Sequence, residues 1–562
     1  MSGRSPRRSS RRPPAVLALL LALAGCRPCQ GDPESSAATG AEADSDTDAD
    51  SDADSDADSD TDTDTDTDAD TDTGGEEPSD QDGDGQTVAE GDCADRDPSR
   101  YRGAPDADGD GTDTNCDGVD ASRFVLAETL AIGRGRGDLP SEWPDNPGNT
   151  AGFVVRITAD ATGDGLPDYA VGGPSYFFDP EGPGRPQPSV WLLSGLSAGD
   201  LSLSEAAAAV WRVPEAEGVN DFGTALDGAG DHDADGLSDL VIGAGQAYGE
   251  GWTGGIAALY STGAGGVRGA DDYTFAVYGG DGDHGLGAVV TGGVDTDADG
   301  QMDVLALVED GAGVAATLIF TDPPLGRVAA DAADLRLEAS VLPSAAAAWD
   351  VDGDGYDDLL LFDGADVGVA PGPFTEPAPA ARLFTIRPPE GGNPAFSFGD
   401  VNGDGSVDLA YGAAGEDSAG SNSGRVAFFL GPLGGTWGFD EADAYLDAEQ
   451  ANVGLSRGLS IAGDLDGDGD DEIVVGAPGV YVNRLGAVTL FWDLWEGTVT
   501  TAAADLVIDG AGLGDCFGWS LSTSGDLDGD GRDDLVVGAP YDAQWAGVAW
   551  SLSGADLSGW AP

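Results

Sequence analysis

The sequence contains no lysine, and only two histidines, two methionines and five cysteines among its 562 residues. Without lysine there is neither a P-loop amine nor a Schiff-base nucleophile. The two imidazoles, His232 and His284, both fall in Gly/Asp-rich turns, where a solvated loop residue is the expectation. Basic charge is scarce: 24 arginines stand against 104 acidic residues, for a net charge of −80. A phosphate backbone needs a basic surface, so nucleic acid is excluded as a partner, while cations are attracted. The apolar stretch "AVLALLLALAG" has 11 residues, too few to span a bilayer. No acidic pair outside the loops described below has a Ser, Cys or His partner at a telling spacing, so the chain does not read as an enzyme.

The first 25 residues have the layout of an export signal: a basic stretch, "MSGRSPRRSSRRPP", then the short apolar run. The run ends in "LAGC", which resembles a bacterial lipobox. That resemblance implies a lipidated Cys26 as the mature N-terminus, a lipid anchor as the sole membrane contact, and an outer-membrane or cell-surface location. An ordinary secretory signal followed by a chance cysteine is the alternative. Residues 26–79 follow as a linker in which Asp occupies every even position from 44 to 72. Both faces of such a segment are polar, so it cannot bury enough to fold, and self-repulsion extends it into a spacer. Thirty such residues reach at most ~100 Å.

Two kinds of acidic segment come next. The main one is a nine-residue pattern seen in "DLDGDGRDD", with acids at positions 1, 3, 5 and 9 and Gly at 6. Carboxylates this close repel one another unless a cation sits among them. Oxygen ligands at 1, 3 and 5, a turn at Gly 6 and a free carbonyl at 7 suit Ca²⁺. Position 12 is Val537 rather than Glu, which rejects an EF-hand. The candidate ligands recur seven times: Asp160, Thr162, Asp164 and Asp168; Asp231, Asp233, Asp235 and Asp239; Asp295, Asp297, Asp299 and Asp303; Asp350, Asp352, Asp354 and Asp358; Asp400, Asn402, Asp404 and Asp408; Asp464, Asp466, Asp468 and Glu472; and Asp526, Asp528, Asp530 and Asp534. One copy would pass as a solvated Asp-Gly turn; seven copies at intervals of 50 to 71 residues would not. Thr162 makes the first site the weakest.

The other acidic segment, residues 80–120, opens with Asp80, Asp82 and Asp84 at the same 1-3-5 spacing and has almost no apolar residue. It needs a metal and a staple to fold. Its "DQDGDG", "GDCAD" and "NCDGVD" resemble the metal-binding motif of bacterial surface proteins and thrombospondin type-3 repeats, which implies a small calcium module closed by Cys93 and Cys116. Cys29 and Cys516 are left without a role.

From residue 121 to 562 the flanks of the seven loops repeat as well. "FGWSLSTSG", loop, "DLVVGAP" and "GVAWSLSG" read as three Gly-bounded strands, and a fourth precedes the next FG. Four strands per unit, seven times over, predict an all-β, seven-bladed β-propeller. The motif resembles the FG-GAP repeat of integrin α-subunit heads and of bacterial surface proteins. Propellers close by sharing a blade between the termini, so residues 123–131 are expected as the outer strand of blade seven.

The resemblance implies calcium loops on one face of the ring and ligand recognition by loops on the other. That other face would carry Tyr176, Phe177, Phe178, Tyr248, Trp252, Tyr481, Tyr541 and Trp545, as a recognition surface or as shields for the blade edges. With dissociation constants of ~10⁻⁴ M at ~1 mM calcium, each site contributes ~1.4 kcal/mol. Seven together give ~10 kcal/mol, the size of a domain's whole stability. The expectation is a monomeric, surface-anchored propeller in which structural calcium supports adhesion or recognition of an extracellular protein or glycan. A propeller enzyme or a purely structural surface component is the alternative.

Overall fold

The apolar run after each acidic loop is the second strand of a blade, and it is buried from both sides. Asp168–Gly173, Leu240–Ala244, Asp303–Glu309 and Leu535–Ala539 have every residue buried. Continuous burial follows from sheets packed face to face, so these strands do not alternate. The computed structural model describes residues 123–125, 131–136 and most of 150–559. Cys26, Asp80, Asp82, Asp84, Cys93 and Cys116, with the segments expected to be signal, linker and small module, lie outside the described residues.

Seven sheets make up the described body, each built on an antiparallel run of four strands. Blade one is Val154–Thr158, Asp168–Gly173, Ser189–Ser194 and Ala209–Arg212, paired in that order. The next five blades repeat the order 1-2-3-4. This is the expected all-β, seven-bladed propeller. Its core lies between the blades: Trp191 of blade one packs in one buried cluster with Val536 and Ala549 of blade seven. Leu490 and Trp492 of blade six likewise cluster with Leu535 and Trp550.

The FG and GAP glycines meet at each blade boundary that has both. A Cβ on Gly476, in the GAP of blade six, would lie 2.0 Å from the carbonyl oxygen of Gly518, the FG glycine of blade seven. Gly538 stands in the same relation to Gly152 of blade one, again at 2.0 Å. The glycine met there is also left-handed, with φ of +85° at Gly518 and +83° at Gly152, which follows Ala151 where blade seven has Phe517. Backbone contact and positive φ both favour glycine there.

Closure departs from the expectation in one respect. The outer strand of blade seven is Ala131–Arg136, paired antiparallel with Val548–Leu552. Residues 123–125 instead pair parallel with Leu506–Asp509, the outer strand of blade six. The reason is a repeating crossover. The link between strands three and four of one blade lays a short parallel strand on the outside of the preceding blade: Gly266–Gly269 on blade one, Gly435–Gly438 on blade four, Gly497–Thr500 on blade five. Arg123–Val125, just before strand four of blade seven, takes the place of that link on the outside of blade six. The N-terminal segment therefore supplies two strands to the ring, not one.

Candidate metal centres

Each loop is curled by its own carboxylates. In blade seven the position-1 residue Asp526 accepts the Gly529 and Asp530 N–H groups through Oδ1, at 2.6 and 3.1 Å, and the Gly531 N–H through Oδ2 at 2.9 Å. Asp528 at position 3 accepts from Asp530, and Asp530 at position 5 accepts from Arg532. The glycine at position 6 is left-handed in all seven loops, from +82° at Gly405 to +105° at Gly469. The tight curl predicted from Gly 6 is thus present throughout.

Position 9 opens the buried strand and ties the loop to it. In all seven blades this carboxylate accepts the N–H of position 2: Ala161 to Asp168, His232 to Asp239, Thr296 to Asp303, Val351 to Asp358, Val401 to Asp408, Leu465 to Glu472 and Leu527 to Asp534. In five blades the second oxygen accepts an N–H from the chain just after strand three, as Gly554 gives to Asp534 at 2.8 Å. In blades three and six the second oxygens, Asp303 Oδ1 and Glu472 Oε1, are buried with no hydrogen-bond partner.

Burial pushes these position-9 acids up, to about 6 for Asp168, Asp358 and Asp408, about 7 for Asp239, Asp303 and Asp534, and about 9 for Glu472. Neighbouring loop carboxylates add to the effect. A cation among the acids would reverse it.

Ligand oxygens converge to within 4.8 Å in five loops: Asp231, Asp233 and Asp239; Asp295, Asp297 and Asp299; Asp350, Asp352 and Asp358; Asp526, Asp528 and Asp534; and all four acids of blade six, Asp464, Asp466, Asp468 and Glu472. These clusters can hold a metal. Asp235, Asp303, Asp354 and Asp530 stand outside the trios of their own loops. Blades one and five, with Thr162 and Asn402 at position 3, have no such acidic group among the described residues. Thr162 donates its hydroxyl to Asp168 at 3.2 Å, and Asp164 accepts from Ser194 at 2.5 Å. In blade five Asn402 Oδ1 accepts from Asp404 at 3.0 Å, so the amide reproduces the turn without the charge.

Of the aromatics expected on the opposite face, Tyr176, Phe177, Phe178, Tyr248, Trp252, Tyr481 and Trp545 lie outside the described residues. Tyr541 is half-buried and packs edge-on against Trp519, with centroids 5.8 Å apart. Trp519 in turn stacks with Phe153 of blade one. Tyr541 thus covers the junction of blades seven and one. His284 is exposed, as expected, but His232 is half-enclosed and its Nε2 is buried without a partner. Cys516, given no role from the sequence, is disulfide-bonded and fully buried; its partner lies outside the described residues.

The FG-GAP repeat family model matches residues 392–429, 459–491 and 517–552. These segments fall in blades five, six and seven. Human integrin alpha-IIb is 33% identical over 145 residues, covering 25% of this chain and 14% of the integrin. Mouse phosphatidylinositol-glycan-specific phospholipase D is 30% identical over 180 residues, covering 30% of this chain and 20% of the phospholipase. Among solved structures, the WD40 domain of Toxoplasma gondii coronin has a TM-score of 0.38 at 10% identity, over 71% of this chain and 80% of that one. Blades five, six and seven of the seven-bladed propeller thus carry FG-GAP repeats, and a quarter of the chain is similar to part of an integrin α-subunit. The matched stretches span a seventh to a fifth of those two relatives, one of which is named for an enzymatic activity, so the repeats do not by themselves exclude catalysis.

Proposed function

We propose that this chain is an exported, calcium-binding propeller that serves adhesion or recognition of an extracellular protein or glycan, held at the cell surface through a lipidated Cys26. The observation that carries the calcium reading is the pair of buried, unpartnered oxygens on Asp303 and Glu472, each at the closing position of an acidic loop. Oxygen-only ligation with several carboxylates is the chemistry of a hard divalent cation, and Ca²⁺ tolerates the variable ligand sets seen here. Positions 1, 3, 5 and 9 would hold the ion. Bound calcium would neutralise the crowded acids and anchor each loop to its buried strand. The role is structural: the ions hold the ring, and the ring presents its other face.

The recognition reading is supported by the integrin-like repeats and by an anchor-and-spacer sequence that would hold the ring away from a membrane. It is tested by applying the purified protein to a glycan array and to immobilised extracellular proteins, in millimolar calcium and in chelator. Calcium-dependent capture of a defined ligand is the expected result. Self-assembly with no ligand would favour a structural surface component instead, and turnover in a hydrolase screen would favour an enzyme. Changing Cys26 to Ser is expected to release the protein from membranes; retention of that variant would refute the anchor.

A further inference from the structure

Position 8 of the loop is not a ligand in the 1-3-5-9 scheme, yet it is acidic in three blades: Asp357, Asp471 and Asp533. Each reaches back across a blade boundary. The carboxylate of Asp471 in blade six accepts the backbone N–H of Asp400, the first ligand of blade five, at 2.7 Å. The N–H of Asp471 donates to the carbonyl of that same Asp400 at 2.9 Å. Asp357 of blade four brackets Asp295 of blade three in the same way, at 2.8 and 3.4 Å. Asp533 of blade seven brackets Asp464 of blade six: its N–H donates to the Asp464 carbonyl at 2.9 Å and its carboxylate accepts the Asp464 N–H.

Elsewhere the bracket is incomplete. Ser238 of blade two donates its N–H to the Asp160 carbonyl at 2.8 Å but has no carboxylate. Pro167 of blade one has no N–H, and Met302 and Val407 have no side-chain acceptor for an N–H this short a reach away. The loops of blades five, six and seven therefore form a linked series, and those of three and four a linked pair.

We infer that the position-8 aspartates are positioning residues that couple neighbouring metal loops, so that ordering one loop pre-orders the first ligand of the loop before it. The physical reason is adjacency. Position 8 is bonded directly to the closing ligand at position 9, so an ion that fixes position 9 also fixes the bracket on the preceding blade's position 1. A charge-assisted hydrogen bond to a backbone N–H is the strong kind. The coupling is reciprocal, as any linkage between binding sites must be. It predicts cooperative calcium binding along blades five to seven, and independent binding across the boundary between blades four and five, where position 8 is Val407.

This inference rests on the calcium reading, and a double-mutant cycle in the full-length protein separates the two. Apparent calcium affinity would be measured from the calcium dependence of the thermal midpoint and by calorimetry. Across the bracketed boundary, Asp404→Ala and Asp468→Ala are expected to be non-additive, by at least threefold in apparent affinity. Across the unbracketed boundary, Asp354→Ala and Asp404→Ala are expected to add. In an Asp471→Ala background the first pair should become additive. Asp471→Asn keeps an acceptor without the charge and should retain the coupling, which a purely long-range effect of charge would not do. If an alanine variant fails to fold, Asp404→Asn and Asp468→Asn serve in the same cycle. Additivity at the bracketed boundary, or equal behaviour of Asp471→Ala and Asp471→Asn, overturns the coupling while leaving calcium binding in place. A wild-type midpoint indifferent to calcium removes the calcium reading and the coupling with it.

Discussion

Glu472 accepts the backbone N–H of Leu465 through Oε2 and leaves Oε1 buried and unpartnered. The other six loops close with Asp; in blades two, four and seven that Asp joins positions 1 and 3, and blade six alone also brings in position 5, Asp468, for four converging carboxylates. Blade six is accordingly expected to be the strongest of the seven sites. Glu472→Gln is expected to lower the midpoint in calcium by the equivalent of ~1.4 kcal/mol, one site's contribution. It should change the chelated midpoint little near pH 7, because burial holds the free acid up at about 9 and already neutral. Equal losses with and without calcium would assign Glu472 to packing alone.

Calcium removal is expected to lower the unfolding midpoint of the whole ring, since every blade opens its second strand from a loop. Magnesium should restore it poorly, because it prefers rigid octahedral sites that keep their waters. Asp530→Ala should reduce the calcium effect more than Thr162→Ala, whose hydroxyl is already engaged with Asp168. Calorimetric midpoints in calcium, magnesium and chelator decide this, and a chelated midpoint equal to the calcium one would refute it.

The calcium-free protein should lose stability as pH rises. Asp239, Asp303 and Asp534 sit at about 7 in the fold, against an ordinary value near 3.8. Between roughly pH 4 and 7 the native state then binds more protons than the unfolded state, so stability falls with increasing pH. In chelator the midpoint at pH 5 is expected to exceed that at pH 7.5. In calcium the order should reverse, because the ion favours the ionised acids and protonation releases it. A chelated protein that is less stable at pH 5 would contradict the burial of these acids.

Gly476→Ala should weaken the boundary between blades six and seven. The added methyl would meet the Gly518 carbonyl oxygen at 2.0 Å, a clash with backbone that no rotamer relieves. Overpacking of this kind costs about 1–3 kcal/mol. Ala at Gly531, where nothing lies within 4 Å but φ is +95°, isolates the separate effect of backbone strain. An unchanged midpoint for Gly476→Ala would remove the close-contact explanation of the GAP glycine.

Removing residues 1–137 would take both N-terminal strands, Arg123–Val125 and Ala131–Arg136, and leave Val548–Leu552 as an open edge. Open edges invite pairing with other chains. Gel filtration should show association and the midpoint should fall, whereas a chain beginning at residue 121 should keep both properties. Identical behaviour of the two chains would mean that the ring does not depend on this closure.

The acidic loops were legible because their chemistry is local. Nine consecutive residues carry the carboxylates, and Gly at position 6 permits the curl wherever the loop sits in the fold. The blade count followed from repetition of those loops with Gly-bounded apolar flanks. The three position-8 acids are also visible as Asp-Asp or Asp-Glu doublets ending the loops, but their purpose is not: Asp471 meets Asp400 from 71 positions away, and only the packing of one blade on the next brings them together. The closing strands were misplaced by a few residues for the same reason. A fourth strand and a crossover strand are both short and extended, and pairing with partners some 400 residues distant distinguishes them. Tyr541 reads from the sequence as a loop-tip aromatic, and Trp519 of its own blade holds it over the seam with blade one. Local charge and turn chemistry were set by the sequence alone, while everything that joins one blade to another was decided by the tertiary structure, because those contacts form between segments whose separation along the chain carries no signal of their proximity.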